Sequence, residues 1–491
     1  MGSHRIAVSK MKHLTLLTLA LGLCSILPPA TAADWGNSLI TLQATGKSFD
    51  YSRPWSRGSR NATKVGVVIG KNQILTTAEG LQNLTMLRLQ KYGRGQWHAG
   101  QLDWIDYHAN IAIISAKEPS FAEGLVTAKL GNVSADKNDW MIMRWKRGNL
   151  EKRAAEFNQF LVQDGRLTFI QHLQMEASSE MDAVGWGEPL VSGGRVIALA
   201  SGQIENNIRF IPVSFFQKLL KARLAGKKAT LGYFPFVWTQ VENPELFSYL
   251  KLKGEPRGAL IIKVPEVPAT TEQLKEKDII LEVEGRPIDN EGYYRDPDYG
   301  QLIMENLSTR GKLAGDILKF KVWRDGKAIA LDYKLPAADF NYKLIPDSKH
   351  DQAPEYLIVG GLMFQPLDGP YLSSIGGASR APARVTHFAE AHPTKERKGL
   401  VVLSLVIPDP FNLGYQNLRW LVVDKFNNRK ISSITDIREA LKKPVNGFHE
   451  IKFMKGWSTE HVVLDAATES EATQRIMNHY RIPAPNLFSS N

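Results

Sequence analysis

From residue 35 to about 210 the chain alternates short apolar runs with turn residues: VGVVIGKNQILTT (65–77), LTMLRLQKYG (84–93), NIAIISA (110–116) and LVSGGRVIALASG (190–202). Strands at this spacing predict an all-β sandwich or a pair of barrels. The pattern then changes period. VSFFQKLLKARLAG (213–226) reads as an amphipathic helix with Ser214 at its N-cap and Gly226 as its stop. Its basic tail reads as a solvated helix end rather than a nucleic-acid patch. Beyond it two units repeat one plan. The first, 235–336, runs GALIIKV, TTEQLKEKDII, EVEGRPI, a helix-like YGQLIMENLST and DILKFKVWRDGKAIALDYKL. The second, 355–467, runs GLVVLSLVI, WLVVDKFNNRKI, a helix-like SITDIREALKK and HEIKFMKGWSTEHVVL. Five or six strands with two helices in about 100 residues make a small, partly open barrel, and the weak self-similarity marks an internal repeat.

The length of 491 residues, at about 150 per domain, agrees with roughly three domains. Hydrophobic residues at 43% and charged residues at 23% exclude a disordered, collagenous or polytopic membrane chain. A net charge of +11 over so long a chain bears on solubility and adhesion, and implies no nucleic-acid partner. The N-terminus sets the expected destination. Lys12 and His13 precede an uncharged run over 14–27, then Pro28, Pro29 and a small-residue stretch ending at Ala32. This is the pattern of a secretory signal, so the mature chain is expected to begin near Ala33, secreted or periplasmic, with no stable membrane span. The only cysteine, Cys24, lies inside that run, so the mature chain carries no disulfide, thiolate metal site or cysteine nucleophile. Expected boundaries are a signal at 1–32, a β-rich domain at 33–229, the two repeated units at 233–337 and 343–470, and a tail at 471–491.

TQVENPEL and LKEKDIILEVEGRPI in the first unit, YLIVGGLMFQPLDGPYL opening the second, and IMNHYRIPAPNLF at the end stand in a recognisable order. The chain resembles the Deg/HtrA family of trypsin-like serine proteases with PDZ domains, most closely its plant-type branch. The resemblance implies a mainly β fold: a trypsin-like double β-barrel followed by two PDZ-like domains. It also implies a catalytic histidine, aspartate and serine, and at all three places this chain differs. The matching residues are Glu79 in ILTTAEGL, Asn110 in ANIAII and Trp186 in VGWGEPLV. Acyl transfer needs a hydroxyl, a base that can also act as an acid, and a carboxylate that orients the base. Indole offers no nucleophile, a glutamate is a poor donor to a leaving amine, and asparagine cannot stabilise an imidazolium. The expected protein is therefore a pseudoprotease without cofactor or metal, with an active endopeptidase using a relocated catalytic set as the alternative. Ser178, Ser179, Ser192 and His108 are the residues such a set could draw on, although Ser192-Gly193-Gly194 reads as a hairpin turn.

Peptide capture is what the resemblance leaves. A PDZ groove adds an extended peptide to a strand edge and holds its terminal carboxylate on backbone N–H groups. By resemblance the first unit would use RGALIIKV, with Arg257, Gly258, Ala259, Leu260 and Ile262, opposite Leu302 and Ile303. In the second unit residues 360–367 look like the corresponding loop, with a role in assembly. The expected ligands are unfolded or extended chains or C-terminal peptides. The expected assemblies are a homo-oligomer or a hetero-oligomer with an active Deg protease.

Overall fold

The computed structural model describes residues 35–137, 139–265, 274–377, 379–456 and 459–488. The expected signal segment, with Cys24 and the start near Ala33, lies outside them. Six strands, Leu39–Phe49, Arg57–Gly70, Gln73–Thr76, Leu84–Lys91, His98–Asp106 and Ile111–Ala116, close a barrel in the order first, second, third, sixth, fifth, fourth. The apolar run at 111–114, ahead of Ser115, follows from its position. Ala112 and Ile114 fill the barrel, while Ile111 and Ile113 pack outward with Val191 and Leu199 of the next sheet. A strand covered on both faces has no polar position to alternate with.

That next sheet has seven antiparallel strands. Asn149–Ala154, Met141–Lys146, Pro189–Ser192, Arg195–Ile204, Asn207–Pro212, Gln171–Ser178 and Glu156–Asp164 lie side by side in that order. The predicted helix forms as Val213–Leu224 and buries Val213, Phe215, Phe216, Leu219 and Leu220. Its N-cap is Pro212, not Ser214, whose hydroxyl instead accepts a hydrogen bond from Tyr299 of the first PDZ-like module at 2.8 Å.

The two modules share one sheet order. In the first, Val237–Thr239, Ala259–Lys263, Ile279–Val283, Ile317–Arg324 and Lys327–Lys334 run from edge to edge. In the second, Leu362–Pro366, Val401–Val406, Leu421–Phe426, Phe448–Phe453 and His461–Asp465 repeat it. The chain is therefore mainly β, as its patterning predicts. The second module's predicted helix forms as Ile434–Leu441, with a capping box between Ser433 and Asp436.

Two expectations need correction. The helix-like stretch at 299–309 is a strand, Gly300–Ile303, paired with Tyr293–Asp296, followed by a 3-10 turn at Met304–Ser308. Leu302 and Met304 are buried two residues apart, a strand period, and Asn306 bonds the Tyr294 hydroxyl at 2.7 Å instead of facing water. The predicted tail from 471 also belongs to the second module. Helix Glu469–Tyr480 buries Ile476 and Met477 among Tyr356, Ile358 and Met363. Strand Asn486–Leu487 then pairs with Tyr356 and Leu357. So few apolar residues on that helix make it read as polar when its partner surface is unseen.

Candidate functional site

Strand pairing assembles the protease-like centre. Gln73–Thr76 lies beside Ile111–Ala116, with Thr76 opposite Ala112, so the residues just beyond each strand meet. The Glu79 N–H donates to Asn110 Oδ1 at 3.0 Å and the Ala78 N–H to the Asn110 carbonyl at 3.2 Å. Trp186 comes from the loop before Pro189–Ser192, and its carbonyl accepts the Val65 N–H at 3.0 Å. Its ring lies so close to Gly80 that a Cβ there would be 3.2 Å from it, and Lys64 Nζ lies 5.7 Å from the ring centroid. The three positions matched to a triad therefore come together, with a half-exposed indole over them.

Below the indole sits a buried charge network. Glu79 Oε1 pairs with Arg166 at 3.2 Å, while Oε2 is out of contact with water and has no hydrogen-bond partner among the described residues. Burial raises the Glu79 pKa, against the pull of Arg166 and Lys64. Lys64 is sealed from solvent and donates to Thr77 Oγ1 at 2.8 Å. Burial pushes its pKa down to about 8, opposed by Glu188 and Glu79. An amine beside a hydroxyl has the chemistry of a nucleophile pair, but Thr77 is wholly buried and no substrate carbonyl can reach it.

Glu188 settles the geometry of the adjoining loop. One carboxylate oxygen, Oε2, accepts the Gly185 N–H at 2.9 Å and the Trp186 N–H at 2.7 Å. Gln203 Oε1 takes the Val184 N–H at 2.7 Å. The other Glu188 oxygen lies 3.8 Å from Arg144, whose Nε also pairs with Glu151 at 2.9 Å. At 2% exposure, Glu188 keeps these contacts away from water. Backbone donors converging on one oxygen are how a fold stabilises an oxyanion, and here a side chain of the same protein is that oxyanion. The signal for it in the sequence is an acid, Glu188, next to the glycine turn in VGWGEPLV.

None of the alternative serines hydrogen-bonds a histidine among the described residues. Ser178 Oγ bonds Asn158 and Asn207, and Ser179 Oγ donates to the Ala154 carbonyl at 2.7 Å. Ser192 donates to the Asp139 carboxylate, and Ser192 pairs with Arg195 across the expected Gly193-Gly194 turn. His108 Nδ1 lies 2.8 Å from Thr168 Oγ1, its ring stacked on Phe340.

The strand expected to receive a peptide has no free edge. Ala259–Lys263 is an inner strand, paired with Val237–Thr239 on one side and Ile279–Ile280 on the other, so it has no edge to offer. The Gly258 N–H is spent on the Ile288 carbonyl, and Arg257 on the Lys253 and Glu255 carbonyls. Ala259 and Leu260 are buried, Ile262 faces outward, and Leu302 and Ile303 belong to the separate hairpin. The unpaired edge is Val237–Thr239, one strand earlier. A run of GALIIKV reads like an edge strand only when its neighbours are unknown.

The loop expected in the second module is closed. Gly360-Gly361 is the turn of a hairpin joining Tyr356–Val359 to Leu362–Pro366, so the equivalent edge is already paired. The Gly360 N–H donates to Glu469 Oε1 at 2.8 Å and to Thr473 Oγ1 at 2.7 Å.

The chain is similar to known proteins over most of its length. A PDZ domain family model matches residues 345–487. Protease Do-like 4, mitochondrial, of Arabidopsis thaliana is 23% identical over 462 residues, covering 92% of this chain and 85% of that protein. Protease Do-like 2, chloroplastic, of the same plant is 23% identical over 473 residues, covering 92% and 75%. Among solved structures, the HtrA-type protease AlgW with decapeptide aligns with a TM-score of 0.46 at 15% identity, over 62% of this chain and 96% of that one.

Proposed function

We propose that this chain, which belongs to the Deg/HtrA family of trypsin-like serine proteases with PDZ domains, is a pseudoprotease. It would bind extended protein segments or a partner chain, as a scaffold, a holdase or the regulatory subunit of an active relative. One observation carries the reading: Glu188 Oε2 saturates the N–H groups of Gly185 and Trp186. A substrate carbonyl would have to displace a buried carboxylate to reach them. Losing a whole triad costs on the order of 10⁶ in kcat, and the residue of activity rests on the anion hole, whose donors by position, the N–H groups of Trp186 and Val184, are taken by Glu188 and Gln203. Binding is assigned to the first module, whose sheet keeps an open edge. We also infer from the signal-like N-terminus that the protein works outside the cytoplasm, which N-terminal sequencing of the exported protein checks.

The test joins turnover to nucleophile labelling. Purified protein incubated with unfolded casein and a fluorophosphonate probe is expected to bind casein, cleave none of it and take up no label. Restoring Glu79→His, Asn110→Asp and Trp186→Ser together is expected to leave it unlabelled. Adding Glu188→Gly is expected to give the first detectable labelling. Turnover by the unaltered protein that is abolished by Ser178→Ala, Ser179→Ala or Ser192→Ala would overturn the reading.

A further inference from the structure

A cavity of about 490 Å³ lies along residues 233–238, at the open edge of the first module's sheet. Its other walls are residues 164–171 of the seven-stranded sheet and Lys343, Asp347 and Glu390 from the chain leading into and through the second module. This volume falls in the range of about 300–1,000 Å³ that holds organic groups. Its chemistry does not suit a terminal carboxylate. Pro235 has no N–H to give, and Gly232, at the head of the same stretch, is bridged to Ala337.

The charges point the same way. Lys343 is shared by Asp347 at 3.5 Å and Glu390 at 3.2 Å, and Arg166 is committed to Glu79 at 3.2 Å. His392 Nδ1 lies 3.1 Å from the Tyr342 carbonyl. Asp164 and Glu305 make no ion-pair contact among the described residues, although Asp164 accepts a hydrogen bond from Gln171 and feels the more distant charge of Lys343. Glu305 Oε1 accepts the Trp238 indole N–H at 2.6 Å, but Oε2 is shielded from water and has no partner, the state in which a carboxylate oxygen most needs a donor. Aromatic side chains line the same cavity, Phe169 and Tyr342 stacked on each other with ring centroids 3.7 Å apart. Tyr233 and Trp238 also line it, and Trp238 is fixed by its bond to Glu305 and by packing on Gly292, where a Cβ would come within 2.2 Å of the indole.

We infer that this cavity receives the ammonium or guanidinium group of a lysine or arginine carried by an extended protein segment laid along residues 233–238. The inference rests on the reading of the protein as a binder of extended chains, and names the side chain it selects. Main-chain pairing with the edge Val237–Thr239 supplies the sequence-tolerant part of binding. The cation supplies the selective part, through charge-assisted bonds to Glu305 and Asp164 and attraction to the aromatic side chains.

Fluorescence anisotropy of the full chain tests this with labelled Ser/Thr-rich peptides that differ at one central residue: lysine, arginine, norleucine or glutamate. Each is made with a free and with an amidated C-terminus. The lysine and arginine peptides are expected to bind at least about tenfold tighter than the norleucine one, irrespective of the terminus. Glu305→Gln keeps an acceptor for Trp238 and is expected to erase that advantage, and Asp164→Asn to reduce it. Should either variant fail to fold, the peptide series on the unaltered chain decides. Preference for norleucine or for a free carboxylate overturns the inference and leaves chain binding standing. Failure to bind any peptide or unfolded casein overturns both.

Discussion

The two PDZ-like modules lay down five strands in one order and then treat the same edge in opposite ways. In the second, Leu362–Pro366 is covered by Tyr356–Val359, which is covered in turn by Asn486–Leu487. In the first, the equivalent Val237–Thr239 has a partner on one side only, and a cavity lies along it. An unpaired edge is a template for another chain, so a fold either covers it or uses it. The protease-like centre resembles the second module in this respect. Glu188 takes the N–H groups of Gly185 and Trp186, as Glu469 takes that of Gly360. Both of these places, where backbone N–H groups could take an anion, are filled from within, while the first module's edge stays open among the described residues.

The largest break in this comparison comes from removing residues 468–491. Helix Glu469–Tyr480 and the last strand cover Tyr356, Ile358, Met363 and Ile407. Each such side chain contributes about 1.5–3 kcal/mol when buried, so exposing four of them approaches the whole stability of a domain, about 5–15 kcal/mol. Amide hydrogen exchange is expected to show the second module unprotected and the first unchanged. Protection retained across 356–465 would mean that the added helix and strand decorate the module rather than complete it.

Next in size is Glu188→Ala. It leaves two backbone donors without their acceptor and removes a carboxylate from beside Arg144 and Lys64, a loss of about 3–5 kcal/mol. Urea unfolding is expected to show a midpoint shift of that order, partly reversed by formate, which can re-enter the vacated place. A change under about 1 kcal/mol would mean that the loop is held by Gln203 and Trp186 without the carboxylate.

Much of this was legible in sequence, for physical reasons that differ by element. Strands and the helix at 213–224 announce themselves because burial on one face imposes a period, and Ser433 with Asp436 announces a helix start through its own hydrogen bonds. Glu79, Asn110 and Trp186 could be picked out because each stands in a short segment that the resemblance aligns, ILTTAEGL, ANIAII and VGWGEPLV. What could not be read were facts about neighbours. Whether Ala259–Lys263 is an edge depends on strand Val237–Thr239, and whether residues 471–487 form a tail depends on a surface more than 100 residues earlier. The role of Glu188 is likewise a matter of where its oxygen points.

A third prediction concerns the segment between the modules, where Phe340 stacks on His108 with ring centroids 3.9 Å apart. Facing His108 are Thr168, Phe169, His350 and Asp339. Burial, with a smaller contribution from His350, pushes the His108 pKa down to about 4. Between pH 6.5 and about 4 the unfolded chain therefore binds a proton that the folded one does not. Stability is full above pH 6.5 and falls as pH drops toward 4, by about 1–3 kcal/mol for this group. His172, also pushed down to about 4, adds a loss of the same sign. Melting temperature against pH is expected to fall in that window, with His108→Leu flattening part of the slope. An unchanged slope would place the acid sensitivity elsewhere and leave the tie between the modules insensitive to pH.

The smallest effect is expected at Glu469, and its size tells the two internal plugs apart. Glu188 Oε2 serves two N–H donors with no second acceptor for either. At Gly360 one N–H reaches two acceptors, Glu469 Oε1 and Thr473 Oγ1, and Thr473 donates in turn to Glu469 at 2.6 Å. Glu469→Ala should therefore leave the donor satisfied by the hydroxyl. Two hydrogen bonds to the carboxylate go, but the Gly360 N–H keeps Thr473 Oγ1, so what is lost is the acceptor of the Thr473 hydroxyl, about 0.5–1.5 kcal/mol, and a favourable charge in the first turn of Glu469–Tyr480, about 0.3–1 kcal/mol. Glu469→Gln keeps the hydrogen bond and should lose only the smaller part. Because Gly360 stays covered and the hairpin stays paired, neither variant should give the second module any peptide binding. A loss as large as that of Glu188→Ala, or new binding of peptides with a free C-terminus, would mean that the carboxylate alone keeps the second module shut.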